Sequence, residues 1–232
     1  MIGIGIGIPY RSGNGGGGAA PPFLSYDFTD GAILFSDNPP TDPADVTDNV
    51  ATATHPNGNL VQTNAPSQWV RSAQGVTSTA AKGAIYTDAI VADLVQDHTA
   101  AITFIPTSAT EMVLIGYGPT SGSGFYYYSL LADGRVRIRV RNTSNSDIYN
   151  RIYPSLPAIT LGAPRTMYFT HEGTTLTIGL EGVGTIVEDA AINLASWDMV
   201  ATKLAVGNSV SAGGIGAGGI VGDIVGFEVA SV

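Results

Sequence analysis

Cysteine is absent from this chain and charge is scarce: ten Lys and Arg with nineteen Asp and Glu make up 12% of 232 residues. Without thiols there are no disulfides, thiolate metal sites or cysteine nucleophiles. The net charge of −9 argues against a non-specific grip on nucleic acid. No window approaches ~20 continuous apolar residues, so no membrane insertion is expected. The opening residues, MIGIGIGIPYRSG, lack a basic n-region and a continuous apolar core, so no secretion signal is read there. Histidine is confined to His55, His98 and His171, no two of them at a ligand spacing, and a zinc site has no support. His98 reads as a solvated turn residue before a strand, and His171 as the end of a strand beside a hairpin turn.

What the chain does have is apolar material, at 44%, and glycine, at 30 residues. That is enough to bury a sizeable core. Helical periodicity is almost missing; one short helix is read around 88–95. Short strands separated by turn residues are predicted at 23–28, 32–36, 59–63, 68–72, 83–86, 100–105, 111–117 and 124–131. Others follow at 135–142, 147–153, 165–171, 174–181, 185–188, 203–206 and 222–230. The stretches 37–57 and 209–219 read as long surface loops. So many short strands imply an all-β, antiparallel two-sheet β-sandwich of jelly-roll type over residues 23–232.

Residues 1–22 read differently. Ile2, Ile4, Ile6 and Ile8 alternate with Gly3, Gly5 and Gly7, a strand-like period whose glycine face lets another backbone approach. A Gly-rich run and Pro21-Pro22 follow, so this segment is expected to be a glycine-rich N-terminal docking arm and linker.

Three pieces of sequence occur in a recognisable order: FYYYSLLADGRVRIRV at 125–140, PRTMYFTHEGTTLTIGLEGVGTIVE at 164–188, and KLAVGNSV followed by GIVGDIVGFEVASV at the C-terminus. Together they resemble the hairpins and closing strands of laminin G-like and other concanavalin A-like domains. Two details depart from that pattern: Arg165-Thr166-Met167 stands where a Trp is usual, and the closing strand lacks a second acidic residue. The resemblance implies a sandwich that carries binding surfaces at its rim or faces. It would bring calcium as a rim metal, but the acidic loop holding Asp37, Asp42, Asp45 and Asp48 matches no calcium motif. No cofactor is expected and no metal ligand is assigned.

Enzymes of the same architecture place two carboxylates about 5–5.5 Å apart on alternating positions of one strand. Here Glu111, Glu172, Glu181, Glu188 and Glu228 are isolated, so a glycoside hydrolase is disfavoured. No G-x-S-x-G turn supports a serine hydrolase either.

The most informative surface is the hairpin 125–142. With Asp133-Gly134 as a two-residue loop, Tyr128 pairs with Arg139 and Tyr126 with Arg141. Alternation then gathers Tyr126, Tyr128, Arg135, Arg137, Arg139 and Arg141 on one face, leaving Phe125, Tyr127, Leu131, Val136, Ile138 and Val140 to the core. Tyrosines would offer stacking surfaces, and Arg forks recognise carboxylate, sulfate or phosphate. Four like charges on one strand face require something acidic opposite them, inside the chain or outside it. The face is read either as an ordinary ion-paired surface or as a platform for an acidic glycan or an acidic patch on a partner.

The isoleucine–glycine arm is similar to the amino ends of bacteriophage appendage proteins. That resemblance implies a non-enzymatic virion structural protein, a head-decoration, fibre or tail component, anchored on other virion proteins through the arm. It further implies a homo-oligomer, with trimers usual for appendages, and a sandwich that binds host-surface polysaccharide. The alternative is a free carbohydrate-binding module or lectin.

Overall fold

The structure, a computed structural model, describes residues 24–29, 45–47, 60–62, 70–78, 85–87, 97–119, 124–155, 160–189, 203–211, 214–215 and 218–232. The arm with Ile2, Ile4, Ile6 and Ile8, the expected strand at 32–36 and the expected helix at 88–95 lie outside these residues.

Every regular element among the described residues is a strand. In chain order they are β1 (Leu24–Asp27), β2 (Asp45–Thr47), β3 (Leu60–Gln62), β4 (Val70–Arg71), β5 (Val76–Ser78), β6 (Ile85–Thr87), β7 (His98–Pro106), β8 (Met112–Gly118) and β9 (Phe125–Leu130). The rest are β10 (Arg135–Arg141), β11 (Asp147–Ser155), β12 (Arg165–Glu172), β13 (Thr175–Leu180), β14 (Gly184–Asp189), β15 (Lys203–Val206), β16 (Val210–Ser211), β17 (Gly214–Ile215) and β18 (Gly222–Ser231). One antiparallel sheet runs β14-β13-β12-β7-β18-β5-β4, with β1 also paired to β18. The second runs β11-β10-β9-β8-β15-β6-β3-β2, and β16-β17 form a small hairpin apart.

The sheets pack face to face as a β-sandwich because their strands alternate. In β7, Ala100, Ile102 and Phe104 point inward, and in β12 Met167 and Phe169 do the same. From the second sheet, Val136, Ile138 and Val140 of β10 and Leu204 and Val206 of β15 meet them in one continuous core. Tyr128 stacks on Phe169 across the two layers with ring centroids 4.1 Å apart. Strict alternation breaks at bulges, among them those between Ile224 and Gly226 in β18 and between Val113 and Ile115 in β8. Each bulge inserts one residue and resets the phase, which is how Ile224 and Phe227, three apart, both reach the core.

Four elements differ from the sequence expectation. β2 lies inside the stretch read as a loop at 37–57, β5 falls between expected strands, and β16 and β17 occupy the expected loop at 209–219. These are pieces of two or three residues, too short to show a period of two.

Candidate functional site

The hairpin of β9 and β10 decides where the arginines and tyrosines go. Its turn is a three-residue loop, Ala132-Asp133-Gly134, closed by Leu131 N–H donating to Arg135 O at 2.7 Å and Gly134 N–H donating to Leu131 O at 2.9 Å. Gly134 takes φ of 84° while Asp133 is not among the positive-φ residues, so the two-residue loop with both central residues left-handed does not form. The extra loop residue slips the register by one. Tyr128 faces Ile138, Tyr126 faces Val140, Tyr127 faces Arg139 and Phe125 faces Arg141.

A slip of one residue exchanges the faces of a strand. Tyr126 and Tyr128, expected on the platform, are instead in the core at 0% exposure. Phe125 and Tyr127, expected in the core, lie on the outer face with Arg135, Arg137, Arg139 and Arg141. The arginines are thus brought together on one open face, as alternation along RVRIRVR requires, but without the two tyrosines.

The aromatic rings on that face are not bare. Phe125 and Tyr127 stack on each other at 5.1 Å, and the guanidinium carbons of Arg139 and Arg141 stand 5.6 and 5.2 Å from the Phe125 centroid. Cations over the ring occupy the surface a sugar would stack on. The stacking role expected of tyrosines is therefore unsupported by this geometry.

The acidic groups that the arginine row requires are partly supplied by the chain. Arg139 donates to both carboxylate oxygens of Asp147, from Nε at 3.0 Å and Nη2 at 3.0 Å. Arg141 Nε donates to the same Asp147 at 2.6 Å, and Arg135 Nε donates to Asp133 at 2.7 Å. Arg137 Nε donates to Asn150 Oδ1 at 3.0 Å, with Glu111 Oε1 3.7 Å from Nη1. Burial would raise the Asp147 carboxyl, but hydrogen bonds and charge from Arg139 and Arg141 outweigh it and hold it below the usual carboxylate range. Asp133 is lowered mainly by the Arg135 backbone N–H, and Arg139 is raised chiefly by its bonds to Asp147. Exposed ion pairs contribute only about 0–1 kcal/mol each, so this network sets geometry more than stability. Sequence reasoning missed Asp147, Asn150 and Glu111, which become neighbours of the arginines only through the β10–β11 register and the start of β8.

The surface is open at the sheet edge. Ile148 and Ile152 of β11 are 37% and 47% exposed. Toward the middle of the sheet it is closed off, because residues 207–210 cross over β8. A Cβ on Gly116 would stand 2.6 Å from Asn208 O, so only glycine admits that crossing. On the outer face of the other sheet Thr166, Tyr168 and Glu228 are nearly buried, while Thr99, Thr170 and Thr177 are half-buried.

The interior holds a second polar group. Tyr117, Tyr126 and Tyr128 form a fully buried column, with Tyr126 OH donating to Tyr128 OH and Tyr117 OH 3.2 Å from His98 Nε2. Burial raises all three phenols, Tyr117 and Tyr126 well above 10. His98 and His171 are both buried and stand opposite each other across β7 and β12; His98 is inside a strand rather than in the solvated turn expected from sequence, while His171 lies at the end of its strand as expected. Burial lowers the His171 imidazole, with Asp97 opposing. His55 lies outside the described residues. At the sandwich edge, Asp189 accepts from Tyr149 and Tyr153 at 2.8 Å each and pairs with Arg151, which ties β11 of one sheet to β14 of the other. Among the described residues no group of three or more His, Asp or Glu could hold a metal ion. Asp37, Asp42 and Asp48 lie outside them.

No family model matches the chain, and no curated relative matches it. Among solved structures it is similar to the Ruminococcus gnavus IT-sialidase CBM40, at 16% identity over 60% of this chain and 78% of that one, with a TM-score of 0.46. It is similar to chicken galectin 2, at 13% identity over 57% of this chain and 89% of that one, TM-score 0.40. A third is Xenopus laevis galectin-Ib, at 14% identity over 64% and 100%, TM-score 0.43. Similarity at this level leaves the chemistry of the site to this chain's own residues.

Proposed function

We propose that the chain is a non-enzymatic glycan-binding β-sandwich whose ligand surface is the outer face of β9, β10 and β11, displayed on a virion appendage by its N-terminal arm. The observation that carries the binding half is the row of four guanidinium groups held on one face of a sheet, Arg135 exposed and Arg137, Arg139 and Arg141 half-buried. Sheet-borne donors held by Asp147, Asn150 and Asp133 are pre-oriented, which lowers the entropy a ligand must surrender on binding. Each carboxylate on the face is bonded to or within ion-pair distance of an arginine, an arrangement suited to recognition rather than to acid–base work on a glycosidic bond.

The virion half rests on the alternating isoleucines of residues 1–8 and the Gly/Pro linker to 22, which suit an arm that docks on other virion proteins. Residues 23–232 form the displayed domain in this reading. It acts as a homo-oligomer, a trimer by analogy with appendages, in the assembled particle. It takes no cofactor, and its external partner is a host-surface polysaccharide.

A glycan array probed with the full chain and with an Arg137→Ala, Arg139→Ala, Arg141→Ala variant tests the binding half. Signal on the wild type that disappears in the variant is expected; equal signal in both would defeat it. Deleting residues 1–18 should abolish incorporation into particles and leave glycan binding intact. Normal incorporation of the truncated chain would leave a free lectin as the better account.

A further inference from the structure

We infer that the face selects a carboxylate-bearing polysaccharide, a uronic acid polymer, and that Arg137 is the residue that reads the carboxylate. This rests on the glycan reading above and narrows it to one ligand class.

The geometry of the carboxylates is the first argument. Among the described residues Asp133, Asp147 and Glu111 stand within ion-pair distance of the four guanidinium groups on β10, but not all of them within hydrogen-bond distance. Asp133 is held by Arg135, and Asp147 is shared between Arg139 and Arg141. Among the described residues, Arg137 alone of the row has no carboxylate within hydrogen-bond distance. Its Nε is used by Asn150, which fixes the plane of the guanidinium. Its terminal amines make no hydrogen bond among the described residues, and Glu111 stands 3.7 Å from Nη1, too far to count as one. A guanidinium anchored through Nε keeps Nη1 and Nη2 as a fork that can donate end-on to the two oxygens of a carboxylate.

The surroundings fit a sugar ring carrying that carboxylate. Arg137 stands between Ser129 on β9 and Ile152 on β11. Ile152 is 47% exposed and offers apolar surface to the C–H face of a ring. The next guanidinium, Arg139, lies roughly 6.6 Å farther along the strand, so successive groups on a polymer meet further donors. Ring stacking cannot supply selectivity, because Arg139 and Arg141 already cover Phe125. Recognition must then come from hydrogen-bond donors, which select acceptors and above all anions.

The test is isothermal titration of the full chain with oligosaccharides of polygalacturonate, alginate and hyaluronan, each beside its carboxyl-reduced counterpart. A single charge-assisted contact is worth about tenfold in affinity or more. At least one acidic oligosaccharide should bind tenfold or more tighter than its reduced form, and Arg137→Ala should erase that difference. Arg137→Lys, which keeps the charge but not the fork, should restore it only in part. If reduced and acidic forms bind equally, the glycan reading stands and this inference fails. If Arg137→Ala and Arg137→Lys both keep the full preference, the carboxylate is read elsewhere and the inference fails. If no saccharide of either kind binds, the glycan reading fails with it.

Discussion

Replacing Tyr128 with alanine tests the register on which the site depends. Tyr128 is 0% exposed, stacked on Phe169 at 4.1 Å and edge-on to Tyr126 at 4.9 Å and Tyr117 at 6.5 Å. A buried aromatic removes roughly 150–250 Å² from water, about 4–6 kcal/mol at 25 cal/mol per Å², an upper bound because unfolded chains are partly collapsed. Aromatic-to-alanine changes in cores cost about 3–5 kcal/mol. We therefore expect Tyr128→Ala to lose about 4 kcal/mol, which for a chain of this size lowers Tm by roughly 8–16 °C. Tyr128→Phe keeps the packing but removes the oxygen that accepts from Tyr126 OH, and should cost about 1 kcal/mol. Tyr127→Ala removes a ring that lies outside the core against Phe125, and should cost about half as much as Tyr128→Ala or less. Urea unfolding with circular dichroism measures all three. The two-residue loop would place Tyr127 inside and Tyr128 outside, so a larger loss for Tyr127→Ala than for Tyr128→Ala would refute the register.

Asp189→Ala removes the acceptor shared by Tyr149, Tyr153 and Arg151, and should cost about 2–4 kcal/mol in the same assay; less than about 1 kcal/mol would mean the two sheet edges are not tied there. Gly116→Ala would set a methyl group 2.6 Å from Asn208 O and 2.7 Å from Ser209 Cα. Overpacking of that kind costs about 1–3 kcal/mol, and proteolysis between 207 and 211 should quicken; an unchanged cleavage rate would show that this segment does not cross β8. His171 has a folded-state pKa below its ordinary 6.5, through burial. Below pH 6.5 the unfolded chain binds the extra proton, so this contribution to stability is complete above 6.5 and is lost as pH falls toward the folded value. Stability measured from pH 7 to 5 should therefore fall, and His171→Phe should flatten that part of the curve; an equal slope in both would place the titration elsewhere.

The sandwich was legible because alternation is a local signal. RVRIRVR reads as one charged and one apolar face whatever it pairs with, and β10 has that pattern. FYYYSL carries no such contrast, since every residue but Ser129 suits either face. The side on which its tyrosines fall is set by loop length, and Asp133-Gly134 is compatible with both a two-residue and a three-residue turn. The conformation at Asp133 settles it, and sequence alone does not contain that angle. The partners of the arginines were hidden for a related reason. Asp147 and Asn150 reach Arg139 and Arg137 through pairing with β11, and Glu111 from the start of β8. His98 reads as a turn residue after Asp97, yet β7 begins early enough to carry its ring inside, opposite His171 at the end of β12.

The most direct test of the account is to watch the arginines themselves. With ¹⁵N-arginine in the full chain, a uronate oligosaccharide from the panel is titrated while the Nε–H signals are followed. The account predicts that Arg137 moves most, that Arg139 follows, and that Arg151 and Arg165 stay still. Shifts centred on Arg151 or Arg165, or none on β10 at saturating ligand, would contradict it.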